Sequence, residues 1–153
     1  MSSTTTNRGR CLSIVSFGYR YGPLSRPPSL SYDIRDIPNP PREFRLQQRS
    51  TNDATALRQW LLSNDVFLTR INEARREILD FIDTPGNFEP PGTHQITIGV
   101  NCLLGRHRSV TFANELARRL EEDLESQPSW EVRVKHRDLE RKSSKQSGLT
   151  SSR

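Results

Sequence analysis

Four stretches of the chain alternate polar and apolar residues, and three others repeat their apolar residues at steps of three and four. Cys11-Leu12-Ser13-Ile14-Val15-Ser16-Phe17 alternates into a first strand that Gly18 and a turn-rich segment to Pro28 bring to an end. Tyr32-Asp33-Ile34-Arg35-Asp36-Ile37 reads as a second, stopped by Pro38-Asn39-Pro40-Pro41 because proline cannot donate to a ladder. His94-Gln95-Ile96-Thr97-Ile98-Gly99-Val100 and Trp130-Glu131-Val132-Arg133-Val134-Lys135-His136 complete the set. Between them, Ala56, Leu57, Trp60 and Leu61 predict a helix with Thr51, Asn52 or Asp53 as its cap. A second helix starts near Asp65, with Phe67, Ile71, Ala74, Ile78 and Phe81 on its buried face, and ends at Asp83-Thr84-Pro85-Gly86. Val110, Ala113, Leu116, Ala117, Leu120 and Leu124 mark a third, while the polar stretch from Arg42 to Thr51 reads as a loop.

The order β, β, helices, β, α, β implies an α/β sandwich with a mixed or mostly parallel sheet flanked by helices. In such sheets ligands gather beyond the carboxyl ends of strands. The loop that starts at Cys102 and the residues after the first two strands would then meet in one pocket.

That loop carries the chemistry. Cys102-Leu103-Leu104-Gly105-Arg106-His107-Arg108-Ser109 joins an apolar strand to an amphipathic helix. A helix start leaves backbone N–H groups without partners at the positive end of the helix dipole, which suits a phosphate. Gly105 permits close backbone approach, Arg106 and Arg108 offer charge-assisted hydrogen bonds, and Ser109 adds a hydroxyl. The plainer alternative is a tight turn with surface arginines. The spacing Cys-x-x-Gly-x-x-Arg-Ser also resembles the phosphate loop of cysteine-dependent phosphatases. On that reading Cys102 is the nucleophile, Arg108 the phosphate clamp and Asp83 a general acid. Against it, Asn101 stands where those enzymes carry a histidine, and a small buried Cys102 needs no catalytic role.

Composition narrows the field. Only 32% of the 153 residues are hydrophobic, and the deficit lies at the ends. We expect a disordered leader over 1–10, one folded domain over 11–140 and a basic disordered tail over 141–153. No stretch approaches the ~20 apolar residues of a membrane span, and the polar start lacks a signal-peptide core, so a cytoplasmic, soluble protein is expected. Two cysteines give no disulfide framework, and His94, His107 and His136 lie too far apart for a metal motif; no cofactor is expected. From residue 132 onward seven basic residues face two acidic ones, which equals the net charge of +5 for the whole chain. A balanced body with a basic end suits contact with a polyanion such as RNA, through Arg137, Arg141, Lys142 and Lys145; a solvated tail is the alternative.

Together these segments resemble the C-terminal domain of the RapZ family, the bacterial RNase adapter proteins, and its stand-alone eukaryotic relatives. The resemblance is carried by Ser16-Phe17-Gly18-Tyr19-Arg20-Tyr21-Gly22, by Asp33-Ile34-Arg35-Asp36-Ile37-Pro38-Asn39-Pro40, by Gly99, Cys102 and Gly105 to Val110, and by His136 to Lys142. It implies a non-enzymatic domain that recognises an amino-sugar phosphate, glucosamine-6-phosphate, and binds RNA partly through its basic end. Cys102 to Ser109 would hold the anion, with Asp33 and Arg35 lining the pocket, or forming an ion pair instead, and Asn39 reaching sugar hydroxyls. His107 would either orient the loop or touch the ligand. The family's nucleotide-binding P-loop lies in separate sequence, and no Gly-x-x-x-x-Gly-Lys-Ser/Thr run occurs here. Leu103-Leu104 stands where the family has Thr-Gly, and Tyr21 where it has histidine. Self-association is left open.

Overall fold

The computed structural model describes residues 9–51, 53–88, 95–127 and 129–139. Its strands are β1 (Arg10–Gly18), β2 (Leu30–Asp33), β3 (Gln95–Cys102) and β4 (Trp130–His136). Its helices are α1 (Arg42–Thr51), α2 (Thr55–Leu62), α3 (Asp65–Ile82) and α4 (Arg108–Asp123), with 3-10 turns at Tyr19–Tyr21 and Pro85–Phe88. The architecture is α/β, with all four strands parallel in the order β2-β3-β1-β4. A strand buried on both faces reads as a nearly continuous apolar run, and β3 has that character.

Register places the apolar residues of adjacent strands side by side. Leu12 pairs with Ile96 and Ile14 with Ile98 across β1 and β3, and all four are buried under the helices. Phe67, Ile71, Ala74 and Ile78 supply the buried stripe of α3, and Phe112, Leu116 and Leu120 that of α4. Each fully buried Phe, Ile or Leu among them is worth about 1.5–3 kcal/mol. Phe67 meets Phe112 edge-on with centroids 5.4 Å apart, so the two helices interlock at one aromatic pair. Asn64 Oδ1 accepts the Phe67 N–H at 3.1 Å and starts α3.

The structure corrects several boundaries. Residues 42–51 are helical where a loop was expected, because arginine, glutamine, glutamate and leucine favour helix and Pro41 opens the first turn, its carbonyl accepting the Phe44 N–H. The second strand runs from Leu30 and ends at Asp33. Asp33 Oδ1 takes the Arg35 N–H at 3.2 Å and bends the chain, and Ile34 and Ile37 are buried in the resulting turn. Ile82 rather than Phe81 completes the buried face of α3, and Phe112 is buried where Val110 is half exposed. Of the three cap candidates before α2, Asp53 takes the Thr55 N–H at 3.0 Å, Thr51 ends α1, and Asn52 lies outside the described residues, as does His94.

Candidate functional site

The chain leaves β1 for β2 on the far side of β3, and leaves β3 for β4 on the far side of β1. The carboxyl ends of β1 and β3 are therefore the switch point of the sheet, where open α/β folds form a crevice. Two backbone contacts fix the geometry there. The Arg20 N–H donates to the Leu103 carbonyl at 3.0 Å, and Gly105, at φ +75°, lies directly against Gly18.

Cys102 forms the floor of this loop and is buried. Its Sγ lies 3.1 Å from Ser109 Oγ and accepts the Gly105 N–H at 3.3 Å. Burial would raise the thiol, but the hydroxyl and N–H of Ser109, the Gly105 N–H and the Arg108 charge bring it below its ordinary value. Ser109 is thus turned inward toward the sulfur. His107 precedes α4 without a side-chain cap to the helix.

Above this floor opens a cleft of about 190 Å³. The loop contributes Arg106, His107 and Arg108; the segment before α1 contributes Asn39; and α1 contributes Arg42, Arg45 and Arg49. Five arginines line the cleft and none of the described lining residues is acidic. Elsewhere arginines are neutralised locally: Arg35 by Asp33, Arg70 by Asp36, Arg75 by Asp123 and Arg119 by Glu115. Among the described residues, no ion pair involves a cleft arginine, and the side chains of Arg42, Arg49 and Arg106 make no hydrogen bond.

Arg108 has a second task. Its Nη1 donates to the carbonyls of Arg35 and Ile37, both at 2.9 Å, and so braces the turn after β2 against the start of α4. Asp33 and Arg35 do not line the cleft. Their side chains pair at 2.8 Å, Arg35 lies over the Tyr19 ring at 3.6 Å, and Asn101 donates to Asp33 at 3.2 Å. The Arg35 guanidinium holds the Asp33 carboxyl below the usual carboxylate range. Asp83 caps the carboxyl end of α3, on the path to the start of β3, and is also outside the cleft. Cys11 and Cys102 sit at opposite ends of paired strands, about 20 Å apart by strand rise.

Arg137 is engaged in structure. It pairs at 2.8 Å with Asp138, a fully buried carboxylate that also accepts the Gly18 N–H at 2.8 Å. The same guanidinium donates to the carbonyls of Gly22 and Pro23, both at 2.9 Å. Arg141, Lys142 and Lys145 lie outside the described residues. Sequence reasoning missed the three arginines of α1; their spacing of three and four after a proline pair was the available signal.

The described residues thus define a parallel α/β domain with a cleft at the switch point of its sheet, lined by five arginines and by no carboxylate among those residues. Comparison with known proteins is more specific: the chain belongs to the RapZ C-terminal domain family, whose pattern it matches over residues 10–140. It is 34% identical over 139 residues to a protein named "Nucleotide-binding protein" of Lachnoclostridium phytofermentans, covering 89% of this chain and 44% of that one. Similar proteins of the same name occur in Heliobacterium modesticaldum (33% identity, 85% of this chain, 40% of the relative) and Carboxydothermus hydrogenoformans (34%, 85%, 42%). The chain thus spans less than half the length of these relatives. Among the described residues no helix is long and apolar enough to cross a membrane.

Proposed function

We propose that this domain is a non-enzymatic binder of phosphorylated small molecules, in the first place an amino-sugar phosphate of the glucosamine-6-phosphate kind, with an adapter role toward RNA. The observation that carries the reading is the cleft itself: Arg106 and Arg108 meet α1 arginines around the Cys102 loop, and no carboxylate among the lining residues opposes an incoming anion. Nucleotides and sugar phosphates share the phosphoryl group, so the name borne by the relatives is compatible with the same chemistry. Asn39, which also lines the cleft, would supply its amide to sugar hydroxyls. Calorimetry with glucosamine-6-phosphate and with glucosamine tests the reading. Heat from the phosphorylated sugar alone is expected, and absence of binding by either sugar and by inorganic phosphate rejects it.

One observation favours a second reading as a cysteine phosphatase: hydrogen bonds and charge hold the Cys102 thiol below its ordinary value. Anion-binding turns do this without catalysis, and Asp83 lies outside the cleft, so its carboxyl is not placed to protonate a leaving group there. Turnover of a generic aryl phosphate is expected to be absent. Hydrolysis that disappears in a folded Cys102→Ser variant would replace the binding reading with the enzymatic one.

A further inference from the structure

The cleft holds more positive charge than one phosphate needs. A phosphate monoester carries about two negative charges near neutral pH, whereas five arginines line this site. The excess has a location. Arg106 and Arg108 belong to the loop after β3, while Arg42, Arg45 and Arg49 share one face of α1 and spread along about 10 Å of helix. Arg45 Nε donates to the Pro40 carbonyl at 3.0 Å, which fixes that side chain. Arg42 and Arg49 are uncommitted among the described residues and line the cleft from α1 rather than from the loop. Five like charges gathered without a carboxylate repel one another, and a bound dianion relieves only part of that repulsion.

Size limits what can supply the rest. At about 190 Å³ the cleft is smaller than the ~300 Å³ at the lower end of pockets that enclose drug-sized ligands. We propose that the cleft takes a compact ligand with two phosphate-type groups, one held by Arg106 and Arg108 and the other by Arg42 and Arg49. This rests on the phosphate-binding reading above and adds a second anion subsite on α1. The two groups can be joined directly, as in a diphosphate, or carried at two positions of a small sugar; both offer two anions, at different separations, to the loop and α1 arginines.

Titration calorimetry of the full chain in one low-salt buffer decides the matter, using inorganic phosphate, pyrophosphate, a hexose monophosphate and a hexose 1,6-bisphosphate. Pyrophosphate or the bisphosphate is expected to bind at least about tenfold tighter than its single-phosphate counterpart, and which one does so identifies the spacing of the anions. The double variant Arg42→Ala/Arg49→Ala should lose most of that advantage, its affinity for the two-phosphate ligand falling by a clearly larger factor than its affinity for inorganic phosphate. Arg42→Lys/Arg49→Lys, which keeps both charges, should retain much of it. Equal affinity for one and two phosphates, with phosphate still bound, overturns the second subsite and leaves the first reading standing. No binding of any phosphate overturns both. A single-stranded RNA that binds through Arg42 and Arg49 and is not displaced by pyrophosphate overturns the compact ligand in favour of a nucleic-acid backbone.

Discussion

The backbones of Gly18 and Gly105 touch: a Cβ on Gly105 would lie 2.6 Å from the Gly18 nitrogen. Gly105 also has φ +75°, a conformation side chains rarely adopt. Left-handed backbone costs a non-glycine residue about 1–2 kcal/mol and overpacking about 1–3 kcal/mol more, so Gly105→Ala should cost about 2–5 kcal/mol in urea denaturation. Gly22, at φ +87° and ψ 167°, lies in an extended region open essentially only to glycine and has open space around it, so Gly22→Ala should cost only its backbone strain, about 1–3 kcal/mol. A loss at Gly105 below about 1 kcal/mol would show that neither its backbone nor its contact with Gly18 is strained by a side chain.

Arg106 and Arg108 are expected to separate binding from stability. Arg106→Ala should reduce phosphate affinity by about 1.5–3 kcal/mol, the worth of a charge-assisted hydrogen bond, and leave the melting temperature unchanged. Arg108→Ala removes the brace to the carbonyls of Arg35 and Ile37 and should lower both affinity and stability. Thermal melts beside calorimetry check the split.

Arg137 should register in stability. Removing one partner of a buried ion pair costs about 3–5 kcal/mol, and Arg137→Ala should fall toward the lower end because a quarter of its side chain is exposed. Asp138→Asn keeps an acceptor for the Gly18 N–H and should cost less. The comparison is made by chemical denaturation of the two variants and the parent.

His136 makes stability depend on pH. Its Nδ1 lies 2.7 Å from Ser16 Oγ and its Nε2 3.1 Å from Asn114 Oδ1, and burial holds its pKa below the ordinary value near 6.5. In the unfolded chain the imidazole takes up its proton first as pH falls, so the stabilising contribution is complete above about pH 6.5 and is lost as pH drops toward the folded value. Urea midpoints at pH 7.5 and 5.5 should differ in that sense, and by less in His136→Gln.

For RNA, neutralising Arg141, Lys142 and Lys145 together should weaken binding and reduce the log–log salt slope by about two, the value for three phosphate contacts to a single strand. Glucosamine-6-phosphate affinity should not change. Filter binding across a salt series gives the slope, and an unchanged slope assigns the tail to solvent.

The strands β1, β3 and β4 were legible because each alternates with branched residues, and the Cys102 loop because its arginines follow one of them. The α1 wall was not. None of its residues is fully buried, so no apolar stripe announces a helix, and arginines at 42, 45 and 49 look scattered until the chain is wound. Asp138 reads as a charge in a basic run. Its burial depends on the end of β4 meeting the end of β1, a pairing across 120 residues that local pattern does not encode.

The absence of buried side chains on α1 also bears on motion. Phe44, half-buried against the core, and the Arg45 bond to Pro40 tie this helix down, so it should belong to the part of the fold that opens most readily. Its amides should exchange with solvent faster than those of α4, and occupancy of the cleft should slow them selectively. On the proposed reading, part of the intrinsic affinity then goes into ordering one wall, and the helix that carries three of the five cleft arginines also reports whether the site is filled.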